Sequence, residues 1–241
     1  MQYKSERLSE NITICINDTH RFGTDAFLLA DFAKHKRSDT FCDMGTGCGI
    51  IPLLVSKNNA PKEIVALDIQ SDAVELLKKS LEISNIDNIK PICADLKSDW
   101  YKTYADHFSV VTMNPPYKAD NAGLQNPNEP EKIARHEIMC DLNDICKVAS
   151  KILKYGGRLC LCNRPERLAD VIKAMQSNGI EPKRLRFASK NADTAPWLFL
   201  IEGKKGSKPF MKVLPQLNTM NSDGSFTKEL MEIYKTKGQE F

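Results

Sequence analysis

The chain has 241 residues, 41% of them hydrophobic and 27% charged, with a net charge of +3. This composition excludes disordered and collagen-like proteins and fits one α/β domain of ordinary size. No apolar run approaches the roughly 18 residues that a membrane span needs, and the segment that starts at Met1 lacks a signal-peptide pattern, so we expect a cytoplasmic protein.

The eight cysteines and four histidines do not form a metal-ligand pattern. Cys42, Cys48, Cys93, Cys160 and Cys162 lie in or beside apolar runs, as reduced core thiols do. Only one residue separates Cys160 from Cys162, whereas metal-binding pairs have wider spacing. Such sites also need a second pair, which the sequence lacks. The sequence therefore predicts no metal site.

The first half of the chain alternates between strand-like and helix-like segments. Residues 12–16 alternate in polarity, and a helix is expected from Thr24, a candidate N-cap, with Asp25 in its first turn. The elements predicted next are a strand at 40–44, a helix at 49–59, a strand at 63–67, a helix from its cap Ser71 to Asn85, and strands at 90–93 and 108–113. This alternation predicts right-handed βαβ units on a parallel sheet.

The second half continues the pattern after a polar loop at 114–130. It predicts a helix at 141–155 that Gly156 and Gly157 stop, a strand at 158–162, a helix at 165–178, strands at 183–188 and 197–202, and a short helix at 227–234. The last two strands are expected to pair antiparallel at a sheet edge. The predicted fold is a Rossmann-like, doubly wound α/β sheet, mostly parallel, with an extension at 1–38, a core at 39–203 and a basic tail at 204–241.

A glycine-rich turn follows the first core strand, in the run Asp43-Met44-Gly45-Thr46-Gly47-Cys48-Gly49. Glycines let the backbone approach a ligand closely at a helix N-terminus. Asp68 ends the next strand, where a carboxylate can bind both hydroxyls of a ribose, and Asp95 follows the third strand. These residues predict a nucleoside-containing cofactor.

The spacing of the glycines argues against a dinucleotide, because the third glycine of Gly-x-Gly-x-x-Gly would fall at Ile50. The run instead resembles motif I of the class I S-adenosylmethionine methyltransferases. That resemblance implies S-adenosyl-L-methionine as the cofactor. The implied pocket consists of Asp43, Gly45, Thr46, Gly47, Asp68, Ile69, Asp95, Leu96 and Asn114.

The tetrapeptide Asn114-Pro115-Pro116-Tyr117 follows the fourth core strand, beyond the sheet edge where open α/β folds bind ligands. An amide oxygen and a backbone carbonyl can accept both hydrogens of an exocyclic amine while an aromatic ring stacks on the base. The tetrapeptide resembles motif IV of amino-methyltransferases that act on adenine N6 or on glutamine. We therefore expect these four residues to be catalytic.

Three further segments, at 20–30, 133–137 and 154–158, extend the resemblance. Together they resemble the bacterial tRNA1(Val) adenine-37 N6-methyltransferase family over about residues 5–205. The resemblance implies methyl transfer to an adenine of tRNA. We also expect the enzyme to be a monomer. Thr24 and Asp25 either close over the methionine end of the cofactor or only begin a helix, and both interpretations stay open.

Charge is unevenly distributed, with 11 basic and 17 acidic residues at 39–150 but 10 basic and 3 acidic residues at 151–190. The basic segment is a candidate surface for RNA, with Lys183, Arg184 and Arg186 as phosphate contacts or as solvated charges. Arg135 and His136 either contact RNA or begin the next helix. Two other function classes stay open: an N5-glutamine methyltransferase, disfavoured by only 38 residues before the first core strand, and a non-catalytic RNA-binding protein.

Overall fold

The computed structural model describes residues 2–57, 59–115 and 141–237, and its central feature is a twisted sheet. Nine strands of the described chain form this sheet, in the order β10-β8-β9-β7-β6-β3-β4-β5, with β11 also paired to β8. The strands are β3 (Thr40–Met44), β4 (Glu63–Asp68), β5 (Ile89–Cys93), β6 (Phe108–Met113), β7 (Leu153–Asn163), β8 (Ile180–Ser189), β9 (Leu198–Lys205), β10 (Lys212–Val213) and β11 (Leu217–Asn218).

Parallel pairing runs from β5 through β4, β3 and β6 to β7, and β9 runs antiparallel to both β7 and β8. The doubly wound, mostly parallel sheet and its antiparallel pair are thus confirmed. The strand order changes direction at β3, because β4 and β5 are added on one side of it and β6 and β7 on the other. Such a switch point opens a crevice at the carboxyl ends of the strands.

Six helices accompany the strands in the described residues. They are α1 (Thr24–Phe32), α2 (Ile50–Ser56), α3 (Ser71–Ser84), α4 (Leu142–Ile152), α5 (Leu168–Ser177) and α6 (Lys228–Lys237). The helix predicted at 141–155 ends at Ile152, and β7 begins directly after it, so Gly156 and Gly157 lie in the strand rather than at a helix stop. A Cβ at Gly157 would approach the carbonyl oxygens of Lys154 and Phe108 at 2.9 Å, which explains the glycine.

Two predicted helix caps are wrong. Gly23 caps α1 and Gln70 caps α3, and neither helix has a side-chain cap. The hydroxyl of Thr24 instead shares a hydrogen bond with the Tyr234 hydroxyl at 2.8 Å. At α3, the Gln70 backbone N–H donates to Asp68 Oδ1 at 2.9 Å, so the carboxylate at the strand end anchors the helix start.

Both ends of the described chain pack on the core. The hairpin of β1 (Lys4–Ser9) and β2 (Ile12–Ile16) lies against α3, where Ser80 Oγ accepts from the Cys15 N–H at 2.8 Å. At the other end β10 and β11 extend the sheet beyond β8, and Tyr234 of α6 meets Phe27 of α1 edge-on at 4.9 Å between ring centroids. The segment expected to be a basic tail therefore covers the edge of the sheet.

Candidate active site

The sequence-predicted site surrounds a cavity of about 770 Å³ at the carboxyl ends of β3, β4, β6 and β7. This volume suits a small-molecule cofactor with part of a second reactant. Its wall includes most of the residues predicted for cofactor and target, namely Asp25, Gly45, Thr46, Gly47, Asp68, Ile69, Asp95, Leu96, Asn114 and Pro115. The sheet topology thus brings together residues up to 90 positions apart.

The glycine loop forms one wall of the cavity. Gly45 and Gly47 have φ values of +67° and +55°, which residues with a side chain rarely adopt. A Cβ at Gly47 would meet no atom of the described residues within 4 Å, so this part of the structure leaves open space where a ligand can approach the backbone. At Gly49 a Cβ would overlap Leu77, so this glycine serves the close packing of α2 against α3.

Asp68 links the loop to the next strand. Its Oδ2 accepts from the Gly47 N–H at 2.8 Å and its Oδ1 from the Gln70 N–H at 2.9 Å. These bonds fix the carboxylate at the cavity wall, and its remaining lone pairs can accept from ribose hydroxyls. Asp95 is held in a similar way, because its Oδ1 accepts from the Lys97 N–H at 2.8 Å.

Two residues predicted for the cofactor pocket do not line the cavity within the described chain. Asp43 is buried beneath the loop, where its Oδ1 accepts from the Thr112 hydroxyl at 2.6 Å. Burial raises the pKa of its carboxyl to about 7, although the hydrogen bond from Thr112 lowers it. Thr24 points to α6 through its bond to Tyr234. Both residues therefore support the pocket from behind.

Asn114 and Pro115 form the opposite side of the cavity from Asp68. The Asn114 side chain donates from Nδ2 to Asp25 Oδ2 at 2.9 Å, and its Oδ1 accepts from the Cys162 thiol at 3.2 Å. Pro116, Tyr117, Arg135 and His136 lie outside the described residues, so their predicted roles stay predictions.

The predicted RNA contacts on β8 lie away from the cavity. β8 runs in the same direction as β7, so its carboxyl end is on the cavity side of the sheet. Lys183 lies near the amino end of β8 and therefore on the side away from the cavity. Its Nζ donates to the carbonyl oxygens of Lys208 and Pro209 at 3.1 and 3.4 Å. Arg184 forms a two-pronged bond to Glu202 at 2.9 and 2.7 Å, and Arg186 donates to Glu229 at 2.6 Å. These bonds commit Arg184 and Arg186 to partners within the chain.

The cavity wall also contains residues that the sequence analysis missed. Asn163 ends β7, and Arg164 and Arg167 follow it at the same edge, while Arg21 precedes α1. Arg164 Nε is buried and has no hydrogen-bond partner among the described residues. The position of Asn163 and Arg164 after a core strand is the signal that identified Asn114 and could have found them.

Comparison with known proteins identifies the family. A model of the methyltransferase small domain matches residues 18–178. The chain belongs to this methyltransferase family. It is an S-adenosylmethionine-dependent methyltransferase, and the glycine loop with Asp68 gives the cavity wall that this cofactor fits.

Relatives are named as methyltransferases, and a solved structure shares the fold. A tRNA1(Val) (adenine(37)-N6)-methyltransferase of Parabacteroides distasonis is 27% identical over 76% of each chain. One of Tolumonas auensis with the same name is 23% identical over 88% of this methyltransferase and 87% of the relative. A structure from Agrobacterium tumefaciens, described as a predicted O-methyltransferase, has a TM-score of 0.72 at 21% identity and covers 90% of this chain and 98% of that one.

The described residues contain neither a cluster of three metal-ligating side chains nor a helix long and apolar enough to cross a membrane. The cysteines among them are free thiols, and all but Cys93 are buried.

Proposed function

We propose that this methyltransferase modifies the exocyclic N6 amine of an adenine in tRNA, with adenine 37 of tRNA1(Val) as the first candidate. The observation that carries the proposal is that Asn114 and Pro115 line the same cavity as Gly45, Gly47 and Asp68. The names of the relatives support the same substrate. An acceptor amine held at Asn114 would therefore lie beside the cofactor wall.

The residues of the site have separate tasks in this reaction. S-adenosylmethionine supplies an activated methyl group, so the protein mainly has to orient the reactants and exclude water. Asn114 Oδ1 and the Pro115 carbonyl accept the hydrogens of the adenine amine. Both acceptors stabilise the positive charge that develops on the amine nitrogen as it attacks.

Basic side chains in the cavity wall can contact a polyanion. Arg21, Arg164 and Arg167 lie in its wall, although Arg21 and Arg167 also pair with Asp18 and Asp170 at 2.9 and 2.8 Å. Arginine recognises phosphate through paired N–H donors. The phosphates on either side of an extruded adenine are the groups that these arginines would contact. An anticodon loop offers partly unstacked bases.

The experiment is methyl transfer from labelled S-adenosylmethionine to total tRNA from a strain that lacks this protein, followed by digestion to nucleosides. The expected product is labelled N6-methyladenosine, and the Asn114→Ala variant serves as the control for contaminating enzymes. Parallel reactions contain release-factor protein or DNA. Label in protein or DNA and none in N6-methyladenosine would contradict the proposal.

A further inference from the structure

Two hydrogen-bond neighbours of the Asn114 amide lie among the residues that the structure describes, and one of them, the Asp25 carboxylate, selects the orientation of the amide. Its Nδ2 donates to Asp25 Oδ2 at 2.9 Å, and its Oδ1 accepts from the Cys162 thiol at 3.2 Å. A carboxylate has only acceptor atoms, so the NH₂ end of the amide is the end that can face Asp25. If the amide turned over, its oxygen would face the oxygen of the Asp25 carboxylate, and this hydrogen bond would be lost.

We propose that Asp25 is a positioning residue for methyl transfer, because its carboxylate binds the NH₂ end of the Asn114 amide and so presents Oδ1, not Nδ2, to the acceptor amine. The inference rests on the proposed function, in which that oxygen accepts from the target amine. An amide in the other orientation would present donors to a donor and would repel the amine. The role differs from closure over the cofactor, which the sequence left open.

The local structure holds the Asp25 carboxylate in place. Its Oδ1 accepts from the Ala26 N–H at 3.0 Å, which leaves Oδ2 for Asn114. A Cβ at Gly23 would lie 2.8 Å from Asp25 Oδ1, so the glycine before the helix leaves room for this rotamer. The backbone of Gly23 has φ −123°, which alanine adopts without strain. Gly23→Ala therefore displaces the carboxylate without deleting it.

The last helix braces the same turn from outside. Tyr234 of α6 shares a hydrogen bond with the Thr24 hydroxyl at 2.8 Å and packs edge-on against Phe27. Thr24 directly precedes Asp25, so α6 fixes the N-terminus of α1 at the point where it reaches Asn114. A segment beyond the family match thus supports the orientation of an active-site amide.

The kinetic test compares Asp25→Asn with Asp31→Asn, a control on the same helix whose carboxylate pairs with Lys34 at 2.8 Å. Asp25→Asn should lower kcat for tRNA methylation by about 10- to 100-fold, because its amide can hold Asn114 in either orientation, and should leave the Kd for S-adenosylmethionine within about threefold. Gly23→Ala should lower kcat in the same way. Unchanged kcat, or a loss confined to cofactor affinity, overturns the inference.

A double-mutant cycle separates positioning from a general structural role. If Asp25 acts through Asn114, Asp25→Asn should cost less than about threefold in kcat when Asn114 is already alanine. Equal losses in both backgrounds overturn the inference.

A third measurement does not depend on the substrate. The NMR signal of the Asn114 side-chain NH₂ group can be identified by its loss in Asn114→Ala. In Asp25→Ala this signal should shift, and its hydrogens should exchange faster with water. If the signal does not change, the inference fails. If wild type does not methylate tRNA, the proposed function fails while this signal still decides the role of Asp25.

Discussion

The cavity side of the sheet and strand β8 both contain several charged residues. The charged groups at the cavity border open space, whereas two arginines of β8 are paired with acidic residues of the same chain. At the cavity, Asp68 is fixed by backbone N–H groups and still borders open space. On β8, Arg184 and Arg186 are bonded to glutamates of the same chain. The position of a charged residue at the end of a strand predicts where it lies in a parallel sheet. The number of basic residues in a segment does not predict whether they pair with acidic residues of the same chain.

Glu202 explains why β8 needs its arginine. The glutamate is almost buried on β9, and Arg158 and Arg184 reach it at 2.7 Å from the strands on either side. Burial raises the pKa of Glu202, but the two arginines outweigh that effect and hold the pKa below its usual value. Two basic residues of this segment, Arg158 and Arg184, therefore neutralise an internal carboxylate.

The largest expected effect tests this structural role. Glu202→Ala should lower the free energy of unfolding by about 3 kcal/mol, because it removes a buried carboxylate and leaves two half-buried guanidinium groups without it. Glu229→Ala is the matched control: its pair with Arg186 is half exposed on the glutamate side, and its loss should cost about 1 kcal/mol or less. Urea denaturation of both variants gives the comparison. Equal effects would contradict the assignment of Arg184 to the interior.

Next in size is the loss of the target-side amide at the cavity. Asn114→Ala should reduce methyl-transfer turnover by about 10²-fold or more, because it removes an acceptor aimed at the reacting amine. Its affinity for S-adenosylmethionine should stay within a few-fold, which calorimetry can measure. Turnover near the wild-type level would exclude Asn114 from catalysis.

Local patterns in the sequence predicted which residues lie together at the cavity, although Asp43 and Thr24 do not line it within the described chain and the roles of the others stay predictions. A glycine turn after one strand and an acidic residue after the next must meet at the edge of a parallel sheet. The contact between Asp25 and Asn114 joins residues far apart in the chain, and no local pattern contains it. The predicted cap at Thr24 was wrong for the same reason, since the hydroxyl bonds to Tyr234 at the other end of the chain.

A smaller effect is expected on the cofactor side of the same cavity. Asp68→Ala should weaken S-adenosylmethionine binding by roughly 1 to 3 kcal/mol, because hydrogen bonds between a carboxylate and ribose hydroxyls are lost. Asp68→Asn is the control that keeps the shape, and we expect it to lie between alanine and wild type. Calorimetry without tRNA isolates this effect from catalysis. Unchanged affinity in the alanine variant would rule out the ribose contact.

The smallest expected effect compares an arginine at the cavity with one on β8. Arg164→Gln should lower the slope of log tRNA affinity against log salt by about 0.7 to 0.9, because each phosphate contact releases counterions on that scale. Arg186→Gln should leave the slope unchanged, since Arg186 bonds to Glu229 and to the Pro215 carbonyl. Binding of tRNA at three salt concentrations gives both slopes, and a cooperative urea unfolding transition confirms that each variant is folded. A lower slope for Arg186→Gln alone would contradict this prediction. It would assign the RNA-binding surface to the basic segment and not to the arginines of the cavity wall.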